Sequence, residues 1–398
     1  VISLKKVLLA LFLFLLPLSS TLFTARAAPP IPSLVAVYSN TKPTIDGQLR
    51  TSEWKDSARY KFNVTGSQGE IETWMYIKHN GTHIHIGLLV RQIYINAYDE
   101  FAVYFEEGND TINGSGSRDN VLGMNQEDLK ACDGTNSTTD GYWASTWIGR
   151  SSEIDFDAKA NHETDHAPAG YEIEAFEGLG FIDDHWECEF SIPLVGNDSG
   201  TTDLSDLVCS VEDTVGFKLQ YFINPGAKNY FYPAGSTNDA SNFADLKIMP
   251  PPEIESCNLD GTAKDEFASE ETVYINGTGY APMTNYDLYV VEDVADWTNG
   301  MWIPARVPDT ATSITTDQYG AVAPTAIWNN PQTLGSYDII IDVNGNGAYD
   351  TGRDVLDTND VQLTAGFVVP ELTTIMAMAS LLMITLLIAA MKRARKIQ

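Results

Sequence analysis

The sequence predicts an all-β protein: two β-sandwich domains between an N-terminal signal peptide and one C-terminal transmembrane helix. Three observations carry that prediction. Short runs of alternating apolar and polar residues recur through the middle of the chain, separated by Gly-, Ser-, Asn- and Asp-rich stretches, with no amphipathic helix of useful length. An uncharged apolar segment stands near each end. Hydrophobic residues make up 43% of the 398 residues and aromatics 11%, ample for sizeable cores.

At the N-terminus, Lys5 and Lys6 precede the mostly apolar run Val7 to Leu18, and Ala25-Arg26-Ala27 supplies small residues at the positions a signal peptidase reads. Residues 1–27 therefore read as a secretory signal cut before Ala28. The alternative, a retained anchor, would need a longer apolar run.

The first sandwich is expected over residues 34–249. Ile71 to Lys78 and Thr82 to Val90 flank Asn80-Gly81, a type I′ hairpin signal. Further strands are expected at Glu100 to Phe105, Tyr171 to Phe176, Trp186 to Ile192, Val215 to Ile223 and Ala244 to Ile248. In Trp186-Glu187-Cys188-Glu189-Phe190 the alternation places apolar residues in the core and the acids in solvent. Consecutive prolines lack donors and stop a strand, so Met249-Pro250-Pro251-Pro252 marks a boundary. The second sandwich, residues 253–369, carries expected strands at Thr272 to Asn276, Tyr286 to Glu292, Tyr337 to Asp342 and Val361 to Val369.

Leu372 to Met391 is a 20-residue stretch without a charge, long enough to span a bilayer as a helix. Lys392, Arg393, Arg395 and Lys396 follow, which places the 392–398 tail in the cytoplasm by the positive-inside rule and the ectodomain at the cell surface.

Net charge excludes one class of partner. With 24 Lys+Arg against 54 Asp+Glu, the chain stands at −30 and lacks the basic surface that nucleic acid requires. So acidic a surface attracts cations such as Ca²⁺, or serves as a salt-adapted solvation shell. Sequons occur at Asn63, Asn80, Asn109, Asn113, Asn136, Asn197 and Asn276, acceptors for glycans on exposed loops of an exported chain. Cys132, Cys188, Cys209 and Cys257 allow two disulfides in three connectivities and have no metal-finger spacing; a free buried thiol is the other reading of Cys188.

Asp342-Val343-Asn344-Gly345-Asn346-Gly347-Ala348-Tyr349-Asp350 is the sharpest motif. Oxygen ligands at alternate positions (Asp342, Asn344, Asn346), Gly347 for the tight turn, the Ala348 carbonyl and Asp350 match the first part of an EF-hand-type Ca²⁺ loop. The twelfth position is Arg353, so Asp354 or Asp357 would have to replace the usual bidentate acid. The competing reading is a turn rich in Asn, Asp and Gly because turns are.

Several ordered segments of the first domain resemble family 9 carbohydrate-binding modules and related DOMON-type domains. They are Ile45-Asp46-Gly47, Glu53-Trp54, Asp56-Ser57-Ala58, the Asn80-Gly81 hairpin, Asp99 to Phe105, Tyr171 to Glu174, Ile192-Pro193-Leu194, Tyr232-Pro233-Ala234 and Phe243 to Leu246. The resemblance implies a β-sandwich that binds sugars or, in another branch, haem. Sugar binding requires aromatic platforms. Tyr142, Trp143 and Trp147, beside Asp140, Gly141 and Ser145, are the better candidates; Trp74 and Tyr76, which share one strand face, either belong to the platform or are buried between the sheets. Haem would need His83, His85, His162, His166, His185 or Met124 as axial ligand, and no C-x-x-C-H is present. The Asp342 loop, Trp297 to Met301 and Ile303-Pro304 make the second domain similar to Ig-like modules that precede sorting tails in archaeal surface proteins. Val369-Pro370-Glu371-Leu372, with the apolar run and basic cluster behind it, resembles a PEF-CTERM sorting signal, with Leu where that family usually has Phe. This implies an archaeosortase-type processing enzyme acting at Pro370-Glu371.

No G-x-S-x-G, H-E-x-x-H or phosphate-binding loop appears, and the acids of the alternating strands are expected on a solvated face, so no catalytic residue is assigned. The sequence thus predicts a non-enzymatic, membrane-anchored surface protein presenting a carbohydrate-binding-like module. A structural envelope component without small ligand and a haem-carrying redox module are the alternatives.

Overall fold

The computed structural model of the protein describes residues 33–91, 99–106, 127–133, 135–136, 138–144, 147–150, 156–163, 185–196, 207–223, 228–234, 243–331, 333–357 and 366–370. The expected signal segment 1–27, the expected strand Tyr171 to Phe176 and the segment 372–398 lie outside the described residues.

Strands of the first half are β1 (Ser33–Tyr38), β2 (Ala58–Gly66), β3 (Gly69–His79), β4 (His83–Arg91), β5 (Glu100–Glu106), β6 (Glu127–Asp133), β7 (Thr138–Ala144), β8 (Trp147–Arg150), β9 (Asp157–Glu163), β10 (His185–Pro193), β11 (Thr214–Ile223), β12 (Lys228–Tyr232) and β13 (Ala244–Ile248). They join one sheet in the order β8-β7-β6-β5-β11-β12-β2-β3-β4-β10-β9. β1 pairs in parallel with both β13 and β3, and β13 pairs with β11, which closes the central strands into a ring. The ring leaves its strands no open edge. Met75, Ile77, Ile86, Leu88, Cys188, Phe190, Phe217 and Leu219 meet in the core inside it.

The second half contains β14 (Glu253–Cys257), β15 (Val273–Thr278), β16 (Asn285–Glu292), β17 (Met301–Trp302), β18 (Ser313–Thr315), β19 (Val322–Trp328), β20 (Gly335–Asp342), β21 (Ala348–Tyr349), β22 (Val355–Leu356) and β23 (Phe367–Val369). The sheet β14-β15-β19 and the sheet β18-β16-β20, with β22 and β23 on β20, contribute Ile254, Val273, Ile275, Leu288, Val290, Ile339 and Ile341 to a shared core.

β1 joins the two halves. Its run Leu34-Val35-Ala36-Val37 is buried throughout, because a strand covered on both faces carries no polar alternation. Leu34 and Ala36 pack into the first core, whereas Val35 and Val37, with Ala58 and Met249, pack into the second.

Three expectations need correction. Among the described residues the only helix is the single turn α1 (Thr51–Trp54), and no helix is long and apolar enough to cross a membrane. The described apolar segments are strands whose backbone groups pair with neighbouring strands. Residues 372–391 lie outside the described residues. The transmembrane anchor, the membrane as partner and the cell-surface location with a cytoplasmic C-terminus are therefore set aside.

The β3–β4 turn is not type I′, which requires positive φ at both central residues. Only Gly81 has it, at 85°. Asn80 instead accepts through Oδ1 from the amides of Thr82 and His83, a local side-chain turn. Of the strand expected at Val361 to Val369, residues 361–365 lie outside the described residues and the remainder contains β23. Finally, Glu187 and Glu189 do not face solvent: they are 1% and 0% exposed. The reason is a strap over the outer face of β3, β4 and β10.

Candidate functional site

That strap, residues 46–54, is held by carboxylates from the sheet. Glu189 Oε2 accepts from the amides of Asp46 and Gly47 at 2.9 and 2.8 Å, and its Oε1 accepts from Trp54 Nε1 at 2.9 Å. Glu187 Oε2 accepts from the Leu49 amide at 3.0 Å. Burial pushes the Glu189 carboxyl up to about 7, against the pull of these three donors. Gly87 makes room for the strap: a Cβ there would stand 2.6 Å from Leu49 Cδ2 and 3.2 Å from the Trp54 ring. The paired acids of β10 are thus spent on fastening backbone.

Trp74 and Tyr76 lie beneath this strap, clustered with Leu49, Trp54 and Leu89, and not between the sheets. Lys61 Nζ sits 4.7 Å over the Trp74 ring. A sugar cannot stack on an indole so covered. A cavity of about 250 Å³ opens nearby between Arg59, Lys61 and Trp74 on one side and Pro282, Met283 and Thr284 on the other.

The other aromatic candidates lie at the sheet's end. Tyr142 and Trp143 hold consecutive register positions in β7, and Trp147 begins β8 opposite Ala144. Among the described residues β8 is the last strand on that side of the sheet. The structure therefore brings the backbone of all three into one hairpin.

Of the histidines considered for haem, His85 is fully buried on β4, and neither ring nitrogen has a hydrogen-bond partner among the described residues. Burial, with nearby Lys78 adding to it, pulls its pKa down to about 3, so the ring is neutral. His83 stacks parallel to it with centroids 6.3 Å apart and contacts Thr82 Oγ1 at 3.0 Å. His185 Nε2 lies 3.4 Å from Glu187 Oε1. His162 belongs to β9, with only its backbone described; His166 and Met124 lie outside the described residues.

The Asp342 loop links β20 to β21 and closes on itself. Asp342 Oδ1 accepts from the Gly345 amide at 2.6 Å and its Oδ2 from Gly347 at 2.8 Å. Asp354 accepts from the Val343 and Asp350 amides at 2.9 and 2.7 Å. Asn344 and Asn346 both donate to Asp350 Oδ2. The Asn346 Oδ1 accepts from the Ala348 amide. Gly345 and Gly347 have φ of 62° and 76°, where a side chain would strain the turn. Burial and then the neighbouring Asp342 and Asp350 push Asp354 up to about 7. The donors are the hard oxygens that Ca²⁺ takes, but they now accept from the loop's own N–H groups. Among the described residues, no group of three or more Asp, Glu, His or Cys side chains is disposed around one ion position. Arg353 points away from the loop, and Asp357 accepts from the Ser256 amide at 2.9 Å.

The four cysteines are free and buried, so the two expected disulfides are not formed. Cys132 and Cys188 share a hydrogen bond in the core, and burial holds the Cys188 thiol far above its ordinary range. Among the sequons, Asn63, Asn80, Asn136 and Asn276 are described; Asn109, Asn113 and Asn197 lie outside the described residues. Pro370 closes the described chain after β23, and Glu371 lies beyond it.

No known protein family and no curated protein matches the sequence. Weak structural similarity exists to family 9 carbohydrate-binding modules. A module of that family from Caldicellulosiruptor kristjanssonii in complex with glucose is 12% identical, covers 54% of this chain and 95% of its own, and gives a TM-score of 0.34. The same source's module with cellotriose is 11% identical, with 55% and 93% coverage and a TM-score of 0.35. A putative carbohydrate-binding protein from Bacteroides uniformis ATCC 8492 is 11% identical, with 55% and 99% coverage and a TM-score of 0.35. At these values the likeness carries no argument about function, and the sugars belong to those proteins.

Proposed function

We propose that the chain is a non-catalytic glycan-binding protein whose platform is the β7–β8 hairpin with Tyr142, Trp143 and Trp147. One observation supports it above the others: three aromatic residues among small and polar neighbours share the terminal hairpin of the large sheet. Glycan recognition needs aromatic faces with hydrogen-bonding groups at their margins. The catalytic alternative loses its best acids, because Glu187 and Glu189 are buried and bound to backbone amides. Hydrolysis of a glycosidic bond needs two carboxyl groups open to a cleft.

Glycan-array binding of the purified chain tests this reading. Binding that disappears in Trp143→Ala and Trp147→Ala, at unchanged melting temperature, supports it; a wild-type chain that binds no glycan refutes it and favours a structural component without small ligand.

The second β-body belongs to the same reading as an Ig-like spacer. Its loop takes Ca²⁺ through Asp342, Asn344, Asn346, the Ala348 carbonyl, Asp350 and Asp354, exchanging the internal N–H contacts for the ion. Calorimetry with Ca²⁺ and with chelator should then differ in melting temperature, and Asp342→Ala should abolish the difference. Pro370-Glu371 is the processing motif of this proposal; mass analysis of the mature C-terminus tests it.

A further inference from the structure

The Pro250-Pro251-Pro252 boundary divides the chain into two expected domains, yet the contacts around it join them. Val35, Val37, Ala58 and Met249 of the first half share one apolar cluster with Ile254, Phe267, Tyr280 and Phe367 of the second. The Met249 amide donates to the Ala36 carbonyl at 2.9 Å, and its carbonyl stands 2.7 Å from His79 Nε2. A polar rim closes this seam. Arg353 Nη2 lies 3.1 Å from Asp56 Oδ2 and also donates to Thr41 Oγ1. Asn40 Nδ2 donates to the Thr351 carbonyl at 3.1 Å.

Asp56 is the hub of that rim. Its side chain is 2% exposed, and it accepts from Lys78 Nζ at 2.9 Å and from Ser39 Oγ at 2.7 Å. Burial alone would raise its pKa, but Lys78 and then Arg353 hold it below the usual carboxylate range. The Lys78 side chain is fully buried on the sheet, so it also depends on Asp56. Two cations from opposite sides of the seam therefore share one carboxylate. Position twelve of the Asp342 loop, where a cation-binding loop would carry its bidentate acid, carries a cation of its own aimed at the other half.

We propose that Arg353 latches the two β-bodies into one cooperative unit, making the loop after β20 a docking element for the surface formed by Ser39, Thr41 and Asp56. The partner that surface fits is the second half of this same chain. The seam is apolar and continuous with both cores, so the latch fixes an orientation that the cluster already favours. This holds whether or not the loop takes a cation, and whether or not the hairpin binds glycan.

Calorimetry and hydrogen exchange on the full chain test it. The wild type is expected to unfold in a single transition, with the amides of residues 33–38 among the best protected. Arg353→Gln should split the transition in two and speed exchange over residues 33–38 about tenfold or more, since opening the seam uncovers β1. Arg353→Lys keeps the charge but loses the fork, and should fall between. Asp56→Asn should exceed both, because it takes the carboxylate from the buried Lys78 and leaves its ammonium only the Glu53 carbonyl. A double-mutant cycle of Asp56→Asn with Arg353→Gln should show strong coupling. Two independent transitions in the wild type, or exchange over 33–38 unchanged in Arg353→Gln, overturns the latch. Failure of Arg353→Gln to fold at all leaves the Lys variant to decide, by the same exchange measurement.

Discussion

Trp54 lies across Gly87 of β4 and donates its indole N–H to Glu189 Oε1 at 2.9 Å, so one residue both covers the sheet and meets the carboxylate buried in it. Trp54→Phe should keep most of the ring's packing while removing a donor from a buried acceptor. The expected cost is about 1–3 kcal/mol by urea unfolding. Gly87→Ala attacks the same contact sterically, since the new methyl meets Leu49 and Trp54, and should cost about 1–3 kcal/mol. A neutral Gly87→Ala would mean that the strap does not rest on β4.

Glu189 also makes stability depend on pH. Its carboxyl sits at about 7 in the fold against an ordinary 4.5. Between those values the folded state holds a proton that the unfolded chain has released. Its contribution is therefore fully present below pH 4.5 and lost as pH rises through 7. Glu189→Gln removes this dependence. The stability of the wild type relative to the variant should fall from pH 5 to pH 7.5, by on the order of 2–3 kcal/mol. Asp338, pushed up to about 6 by burial, acts in the same direction and is common to both proteins, so it cancels in the difference. A gap constant across the range would show that the carboxyl is charged throughout.

The two-faced alternation of β3, β4 and β10 was legible in the residues, but which face meets water was not. Alternation assigns residues to sides of a sheet; it does not say that a distant strand-free segment will cover the polar side. Gly87 in mid-strand was a readable sign of close approach, and Leu49 with Trp54 supplied apolar residues lacking a strand of their own. Likewise Leu34-Val35-Ala36-Val37 is the unalternating run of a strand buried on both faces, which was not among the expected elements. Arg353 was legible only as the wrong residue for a cation ligand. Its partner Asp56 lies in the other half, and nothing local announces such a contact. The β7–β8 hairpin was seen as a polar region with aromatics, because Gly and Ser there outweigh the short strand pattern.

His85 should be dispensable for folding. Both ring nitrogens are buried without a partner among the described residues, and Ser191 opposite it on β10 has an equally orphaned hydroxyl. Removing an unsatisfied buried polar group at similar volume is neutral or stabilising, by about 1 kcal/mol. His85→Leu should accordingly hold or raise the melting temperature. The variant should also resist acid better, since a neutral buried His loses stability as pH falls below 6.5. A drop of more than about 5 °C would instead reveal a group bridging His85 and Ser191.

The sequons are not equivalent as acceptors, because glycan transfer uses the side-chain nitrogen. Asn276 donates that nitrogen to the Gly261 carbonyl at 3.0 Å from a partly buried position. Asn80 engages only its oxygen in its turn. Expression in a glycosylating host should therefore give peptide masses showing Asn80 modified and Asn276 bare. Equal occupancy would mean that modification precedes folding of β15.

Thiol chemistry offers a last separation between fold and unfolded chain. Cys132, Cys188, Cys209 and Cys257 are all free and buried, at 0%, 0%, 3% and 0% exposure. Reaction requires thiolate and access, and burial denies both to Cys188. An alkylating reagent should leave the native protein unmodified over hours and label all four cysteines in guanidinium. Partial native labelling would point to local opening around the labelled strand, with β6 and β10 reporting together because Cys132 and Cys188 share a hydrogen bond. Labelling of Cys257 alone would place the weak point at β14, on the second-half side of the seam that Arg353 closes.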